Sequence, residues 1–228
     1  MTDGTGVGFY PQRRFQIPPD GVELVLVRHG QSQAYVDGQA FPLVDGQGDP
    51  PLSSRGERQA ALVCARLAAE GVDAIYVTTL RRTAQTAAPL AGRCGLEMRV
   101  EPGLREVCLG EWEGGLYRKM VADGHPIAQR VFTEERWDVI PGGEGPEAFA
   151  GRVRAAVERV VTAHQGERVA VFTHGGVIAQ VIALASGSRT FAFTSADNAS
   201  ISRVVVFSGR WLVRAFNDAS HLEDPASG

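Results

Sequence analysis

Two apolar runs, each ending directly in a His-Gly step, constrain the fold of this chain more than any other feature. Residues 24–27 run into Arg28-His29-Gly30, and residues 169–172 run into Thr173-His174-Gly175. A short apolar run bounded by a turn signal is typical of a buried strand. Open α/β sheets place their ligands where such strands end. The sequence therefore predicts two central strands that bring both histidines to one edge of a sheet.

Strand and helix patterns alternate along most of the chain. This alternation favours an α/β fold, a three-layer sandwich with a mostly parallel central sheet and helices on both faces. Only Ser208-Gly209 separates the last two strands, so we expect them to pair antiparallel and to add an antiparallel edge strand. The predicted strands cover 22–28, 73–78, 98–102, 168–172, 201–207 and 211–216, and the predicted helices cover 53–70, 81–94, 146–165 and 176–186.

Two long segments show no periodic pattern. Residues 30–51 are rich in Gly, Asp and Pro and are predicted to form a loop. Residues 107–142 form a second irregular stretch of about 35 residues, which is too long for an ordinary connection and is typical of a functional insertion. We therefore predict a single domain over 21–222 with a lid or insertion near 107–146. The two ends are predicted to be flexible, with an N-terminal arm over 1–20 and a tail over 223–228.

Composition argues against several classes of protein. The net charge is −3 and no basic stripe is visible, so nothing suggests a nucleic-acid or membrane-surface partner. No apolar stretch approaches the roughly 20 residues of a membrane helix, and the first residues do not form a secretory signal. The cysteines Cys64, Cys94 and Cys108 are widely spaced, without a Cys-x-x-Cys or Cys/His cluster. We therefore expect reduced thiols, a cytoplasmic setting and no metal site.

Four short motifs follow the predicted strands in a fixed order. They are R-H-G at 28–30, L-x-R-x-x-Q-T at 80–86, L-x-E at 104–106 with G-x-W-E-G at 110–114, and H-G-G at 174–176. Any one of them recurs by chance, but the ordered set is specific. Across about 22–222 the chain resembles the histidine phosphatase, or phosphoglycerate mutase-like, superfamily. The resemblance implies phosphoryl transfer with neither a cofactor nor a metal.

The resemblance also implies catalytic roles for three residues. His29 matches the nucleophile, whose neutral imidazole attacks phosphorus and becomes phosphohistidine. His174 matches the second imidazole, which flanks the nucleophile and donates to phosphate oxygens. Glu106 matches the general acid that protonates the leaving alkoxide; the L-x-E motif selects it over the nearby Glu111 and Glu113.

Arginine is the residue type that phosphate binding requires, because its planar charged fork binds oxygen atoms in pairs. The motifs assign this role to Arg28 and Arg82, with His174 beside them. The register of L-x-R-x-x-Q-T selects Arg82, whereas Arg81 is expected to be an exposed residue of the first helical turn. Two guanidiniums close to His29 disfavour an imidazolium, so we expect a neutral nucleophile at pH 7.

One position departs from the family pattern. Many members carry an asparagine seven residues after the motif arginine, where it helps to hold the phosphate, and here that residue is Tyr35. Its hydroxyl could bind the anion, or its ring could pack under the loop after Gly30; we favour the second, because a buried phenol needs both space and a partner. Gln31 and Ser32 are candidate substitutes for the missing amide.

Three alternatives to the preferred function stay open. We predict a phosphatase for a small phosphomonoester, because Val107 and Cys108 stand where mutases carry the Arg-His of E-R-H-Y-G and bind carboxylate or phosphate poorly. The first alternative is phosphoglycerate mutase-type transfer. The second is a phosphate-binding member weakened by Tyr35, and the third is a scaffold whose N-terminal arm drives assembly, which would fit a homodimer.

Overall fold

The computed structural model describes residues 10–223, and six of its strands form one sheet. These strands are β1 (Val22–Arg28), β4 (Ala74–Val77), β5 (Met98–Val100), β6 (Arg168–Thr173), β7 (Ile201–Phe207) and β8 (Arg210–Asp218). Two further strands, β2 (Leu43–Val44) and β3 (Gln47–Gly48), form a separate hairpin. The order across the large sheet is β5-β4-β6-β1-β7-β8.

The large sheet is parallel over four strands and antiparallel over two. β5, β4, β6 and β1 run parallel, whereas β7 is antiparallel to β1 and β8 is antiparallel to β7. The last two strands are joined by Ser208-Gly209, whose φ angles of 47° and 72° are those of a tight hairpin turn. The predicted antiparallel edge is therefore confirmed, and it comprises a pair of strands.

Helices cover both faces of the sheet. They are α1 (Ser54–Glu70), α2 (Arg81–Cys94), α3 (Leu116–Ala122), α4 (Pro126–Thr133), α5 (Pro146–Ala163) and α6 (Gly175–Ser186). Alternate residues of β1 enter two cores: Leu24 and Leu26 pack with α5 and α6, and Val25 and Val27 pack with α1 and α2. Because β1 is buried on both faces, its sequence is a continuous apolar run. The predicted three-layer α/β sandwich is confirmed.

Local signals place the helix that follows the first long loop. Ser53 has extended backbone angles, and its hydroxyl accepts a hydrogen bond from the Gly56 amide at 3.2 Å, which caps α1. Gly71, with a φ of 78°, ends the same helix. The other predicted helices and strands also lie within a few residues of their observed bounds, as expected for elements with a long apolar pattern.

The predicted loop over 30–51 needs a correction, because it contains the β2–β3 hairpin. Its turn residues Asp45 and Gly46 have φ angles of 48° and 82°, which is the conformation that Asp-Gly pairs favour. The strands have only two residues each, so no alternation of polar and apolar residues could reveal them. The Asp-Gly pair was the available signal.

The prediction of an irregular stretch over 107–142 is also wrong. This stretch holds a short 3-10 turn (Gly110–Trp112) and two helices, α3 and α4. The helices have seven and eight residues, which is too short for a helical repeat to show, and α3 has no buried residue. A small core stabilises the segment and consists of Trp112, Ala128, Val131 and Ile140.

The ends of the chain lie mostly outside the described residues, so the predicted arm over 1–20 and tail over 223–228 stay predictions. Of the arm, Phe15 lies under the guanidinium of Arg214 at 4.5 Å from the ring centroid. All three cysteines are unpaired, and Cys64 is buried. Between residues 10 and 223, no helix has the length and apolarity needed to cross a membrane.

Candidate active site

The ladder between β1 and β6 brings His29 and His174 together. Arg28 pairs with Thr173 in parallel register, and the His29 amide donates to the Thr173 carbonyl at 2.9 Å. The next residue of each strand is therefore a histidine, and the two rings meet edge to face with centroids 5.2 Å apart. Their exposed fractions are 6% and 0%. The paired apolar runs of the sequence thus produce a buried pair of imidazoles.

Glycine is required after His29 because the chain passes directly over the start of α1. A Cβ atom on Gly30 would lie 2.6 Å from the Gly56 carbonyl oxygen, and one on Gly56 would lie 2.1 Å from the Gln31 carbonyl oxygen. The Gly30 amide also donates to the Thr86 hydroxyl at 3.0 Å. This close packing fixes the backbone that carries the imidazole of His29.

The hydrogen bonds of His29 define which ring nitrogen has a lone pair. Arg82 Nε lies 3.2 Å from His29 Nε2, and a guanidinium can only donate, so Nε2 accepts. The proton is then on Nδ1, which donates to the Gly30 carbonyl at 2.8 Å. Burial, followed by the charges of Arg82 and Arg28, holds the pKa of His29 well below its usual value. The ring is therefore neutral near pH 7.

His174 occupies the position just before α6. Its Nε2 lies 3.1 Å from the Thr78 hydroxyl, and its Nδ1 is buried without a partner among the described residues. Burial and the nearby Arg82 charge lower the pKa of His174 well below the usual value. The ring of His174 packs against that of His29 but does not itself line the cavity. Nδ1 of this neutral ring is therefore a polar atom in the site without a hydrogen bond to the described residues.

The two motif arginines differ sharply from their neighbour Arg81. Arg28 donates to the Ala196 carbonyl, and its Nε is buried without a partner in the described part of the chain. Arg82 is 7% exposed and donates to the Gly48 carbonyl at 2.9 Å; burial lowers the pKa of Arg82 to about 10. Arg81 instead forms an ion pair with Asp49 at 2.7 Å. The motif register therefore selects the guanidinium that enters the site.

Glu106 lies against the first turn of α6. Its carboxylate accepts from the Gly176 amide at 3.3 Å and from its neighbour Val107 at 3.0 Å. A Cβ on Gly176 would lie 2.5 Å from Glu106 Oε1, so a larger residue there would displace the carboxylate. Arg152 and Gln47 both donate to the Glu106 carbonyl, at 2.8 and 2.6 Å. These bonds fix the main chain that presents the acid.

These groups surround one cavity of about 460 Å³ beyond the ends of the parallel strands. Four of the five motif residues line it directly: Arg28, His29, Arg82 and Glu106. The rest of the lining is largely apolar and aromatic, and these side chains belong to Phe41, Leu109, Trp112, Tyr117, Phe132, Trp137 and Phe191. The cavity therefore has a cationic end beside His29 and an aromatic end formed largely by the 107–146 segment.

The three residues suggested near the missing amide have different positions. Gln31 and Ser32 line the cavity, whereas Tyr35 does not. The Tyr35 ring meets Phe41 edge to face, with centroids 6.1 Å apart, and lies where a Cβ on Gly115 would approach it to 2.5 Å. The ring therefore packs at the rim of the site, and its packing under the loop after Gly30 stays a prediction.

Three polar residues to which the sequence assigned no role in the site also line the cavity. Gln47 comes from β3, and its Oε1 is buried without a partner among the described residues. Asn198 donates to the His29 carbonyl at 3.0 Å. Arg118 comes from α3 and donates to the Ser32 hydroxyl at 2.8 Å. Gln47 and Arg118 reach the cavity from β3 and α3, which are too short to show a periodic pattern in the sequence.

The chemistry available here is anion binding next to a neutral nucleophile. The residues described contain no group of three His, Cys, Asp or Glu side chains arranged to hold a metal ion. Three groups with N–H donors line the cavity: the guanidiniums of Arg28 and Arg82, and the N-terminus of α6. Gly175 and Gly176 of that helix form part of the wall. A helix N-terminus favours negative charge. The site therefore suits a phosphate group with His29 Nε2 beside it.

Comparisons with known proteins agree with this geometry. Phosphoglycerate mutase-like protein 4 of Arabidopsis thaliana is 34% identical over 210 residues, covering 90% of this chain and 89% of the relative. The metal-independent phosphoserine phosphatase of the same plant is 33% identical, covering 91% and 86%. A mycobacterial glucosyl-3-phosphoglycerate phosphatase structure superposes with a TM-score of 0.72 at 30% identity, covering 87% of this chain and 100% of that one. The family model of the histidine phosphatase superfamily (branch 1) matches residues 24–219, and this chain belongs to that superfamily.

Proposed function

We propose that this protein hydrolyses small phosphomonoesters through a phosphohistidine formed on His29. The observation that carries the proposal is the neutral His29 ring, whose Nε2 lone pair lies 3.2 Å from the Arg82 guanidinium at the cationic end of the cavity. A phosphate ester repels nucleophiles through its own charge, so catalysis is chiefly positioning and charge neutralisation. The relatives named as phosphatases support this reaction class.

In the first step, His29 Nε2 attacks phosphorus and the bond between phosphorus and the ester oxygen breaks. Arg28 and Arg82 neutralise the phosphoryl oxygens as the bond order changes. The leaving alkoxide needs a proton, and Glu106 lies at the same cavity to supply it. In the second step, water attacks the phosphohistidine, returns a proton to Glu106 and releases phosphate. The sum is ester plus water giving alcohol plus phosphate.

His174 would act as a donor to the phosphoryl group. Thr83 and Thr78 hydroxyls lie 3.1 Å apart, and Thr78 lies 3.1 Å from His174 Nε2. The Thr83 hydroxyl donates to the Leu80 carbonyl at 2.8 Å. If the Thr78 hydroxyl donates to Nε2, the proton of His174 stands on Nδ1. That N–H has no partner in the described chain and is the donor that a phosphate oxygen would accept from.

Phosphoglycerate mutase activity is the second candidate, because relatives of similar identity carry that name. A mutase must bind a second acidic group and hold the phosphohistidine away from water. Val107 lines the cavity directly after Glu106 and offers an apolar surface there. The apolar surface of Val107 beside Glu106 therefore favours phosphatase activity over mutase activity.

The test measures phosphate release and phosphoglycerate isomerisation by the same preparation. The wild-type chain is expected to release phosphate from an activated aryl phosphate and from a panel of phosphomonoesters, and to leave phosphoglycerate positions unchanged. Acid-labile phosphate should be trapped on the chain during turnover, because phosphohistidine is labile in acid. Isomerisation faster than phosphate release would show that the protein is a mutase. Phosphate binding without either reaction would support the alternative of a phosphate-binding member weakened by Tyr35.

The cellular location and the assembly of the protein are also part of the proposed function. A cytoplasmic location fits three unpaired cysteines, one of them buried. The preferred partner is a small phosphomonoester alone, with neither nucleic acid nor membrane. A homodimer is tested by comparing the solution mass of the full chain with that of a chain lacking residues 1–20. EDTA is expected to leave turnover unchanged.

A further inference from the structure

We propose that Arg118 is a third phosphate-binding guanidinium in this site, reaching it from α3. This role deepens the proposed function and rests on it. Arg118 lines the cavity together with Arg28, His29 and Arg82. Burial is the main cause of the lowered pKa of His29, Arg82 and Arg118; the charge of Arg118 adds to it for the first two, and the charge of Arg28 adds to it for Arg118. The three guanidiniums therefore form one cluster of like charge.

Glu106 acts on Arg28 and Arg82 as an opposite charge, whereas Arg118 forms no ion pair with a carboxylate among the described residues. Within residues 10–223, Arg118 donates to the Gln33 carbonyl at 2.6 Å and to the Ser32 hydroxyl at 2.8 Å, and its guanidinium faces the Phe41 ring at 5.4 Å. Arg28 and Arg82 likewise donate to neutral atoms, as described above. Neighbouring like charges in partial burial are unfavourable unless an anion lies between them. A phosphate dianion bound in the cavity would supply the opposite charge that the contacts of Arg118 do not.

Arg118 is anchored to the loop that carries the nucleophile. Ser32 and Gln33 follow His29 by three and four residues, so the bonds from Arg118 fix its guanidinium relative to the reacting atom. Tyr35, which stands at the family's amide position, packs against Phe41 and does not line the cavity. Arg118 thus supplies a donor from α3 to a pocket that lacks the usual one.

The neighbouring Lys119 provides a matched contrast on the same helix. Its ammonium lies 2.8 Å from Asp123 and 3.5 Å from Asp37, so its charge is already balanced. It does not line the main cavity. Lys119→Ala and Arg118→Ala therefore each remove one positive charge from α3. Only Arg118→Ala would also remove a contact to phosphate.

The test titrates inorganic phosphate into the full-length chain and its variants by calorimetry. Arg118→Ala is expected to weaken phosphate binding about 10- to 100-fold, which is typical of a lost hydrogen bond to a charged group. Arg118→Lys should lose less than Arg118→Ala, and Lys119→Ala should bind within twofold of wild type. Unchanged circular dichroism and melting temperature show that each variant is folded, and Arg118→Gln serves as a second variant.

A second measurement separates the phosphoryl group from another anionic group of the substrate. Arg118→Ala should raise KM by a similar factor for an aryl phosphate and for phosphoserine, which adds a carboxylate. Phosphate binding within twofold of wild type, or a loss confined to phosphoserine, would overturn the proposal. A wild-type chain that binds phosphate through Arg118 without any turnover would instead refute the proposed hydrolysis and leave this contact intact.

Discussion

The two ends of the cavity are built by different means. At the cationic end, main-chain pairing decides the geometry, since the β1–β6 ladder places His29 beside His174. At the aromatic end, side chains decide it: Trp137 packs on Phe191 with centroids 4.2 Å apart, and the 107–146 segment has its own small core. A ladder tolerates few changes, whereas a side-chain wall can be remodelled residue by residue.

This difference suggests a division of labour. The cationic end recognises the phosphoryl group, which all substrates of the proposed reaction share. The aromatic end contacts the alcohol part, which differs between substrates. Substitutions at the first end should therefore affect every substrate, and those at the second should separate one substrate from another.

Removal of the nucleophile is expected to have the largest effect. His29→Ala should abolish turnover of every phosphomonoester, because no other residue is proposed to carry the phosphoryl group. The measurement is phosphate release together with trapping of the acid-labile phosphoenzyme. Lys119→Ala serves as the control variant and should retain full activity. Residual turnover through a trapped phosphoenzyme would assign the nucleophile to another residue.

Loss of the general acid should depend on the leaving group. Glu106→Gln is expected to slow hydrolysis of alkyl phosphates by about 100-fold or more, the usual contribution of a positioned acid. The rate on activated aryl phosphates should fall much less, because their aryloxides leave without a proton. The ratio of kcat/KM on the two substrate classes is the readout. Equal losses on both would remove Glu106 from this role.

The buried histidines should also make folding stability depend on pH. Both pKa values are lowered in the fold, so below about pH 6.5 the unfolded chain binds protons that the folded chain refuses. The free energy of unfolding should therefore fall as pH falls, by up to about 1.4 kcal/mol per pH unit for each ring. Urea titrations between pH 7 and 5.5 measure the slope, which His29→Ala should reduce. An unchanged slope in that variant would contradict a neutral His29 in the fold.

The aromatic end offers a residue whose removal should cost little stability. Phe132 lines the cavity from α4 and is 51% exposed. Phe132→Ala is expected to raise KM for an aryl phosphate about 3- to 10-fold, the scale of one aromatic contact, and to leave inorganic phosphate binding unchanged. Val121→Ala, at an exposed apolar residue of α3 outside the cavity, is the matched control. Equal losses for both ligands would erase the distinction between the two ends.

The sequence predicted the cationic end far better than the aromatic end, and the reason is physical. The three-layer fold follows from apolar runs and local turn signals, which depend on neighbouring residues, and the superfamily was recognised by its resemblance in four ordered motifs. Arg118 and Gln47 reach the cavity only because short elements pack across it, and such packing leaves no periodic trace. The catalytic roles of the motif residues and the domain limits stay predictions that the experiments above address.

The smallest effect is expected at the rim between the two ends, where Tyr35 stands in the family's amide position. Its ring packs against Phe41 and Gly115 and does not line the cavity, so its hydroxyl has no part in holding the anion. Tyr35→Phe preserves the packing and should therefore change kcat and KM by less than about twofold, because the residue that loses its hydroxyl does not line the cavity. Tyr35→Ala removes the ring and should weaken turnover indirectly, by loosening the contact that supports Phe41 under Arg118. A large loss in a folded Tyr35→Phe variant would make the hydroxyl a phosphate ligand and would move this residue to the cationic end.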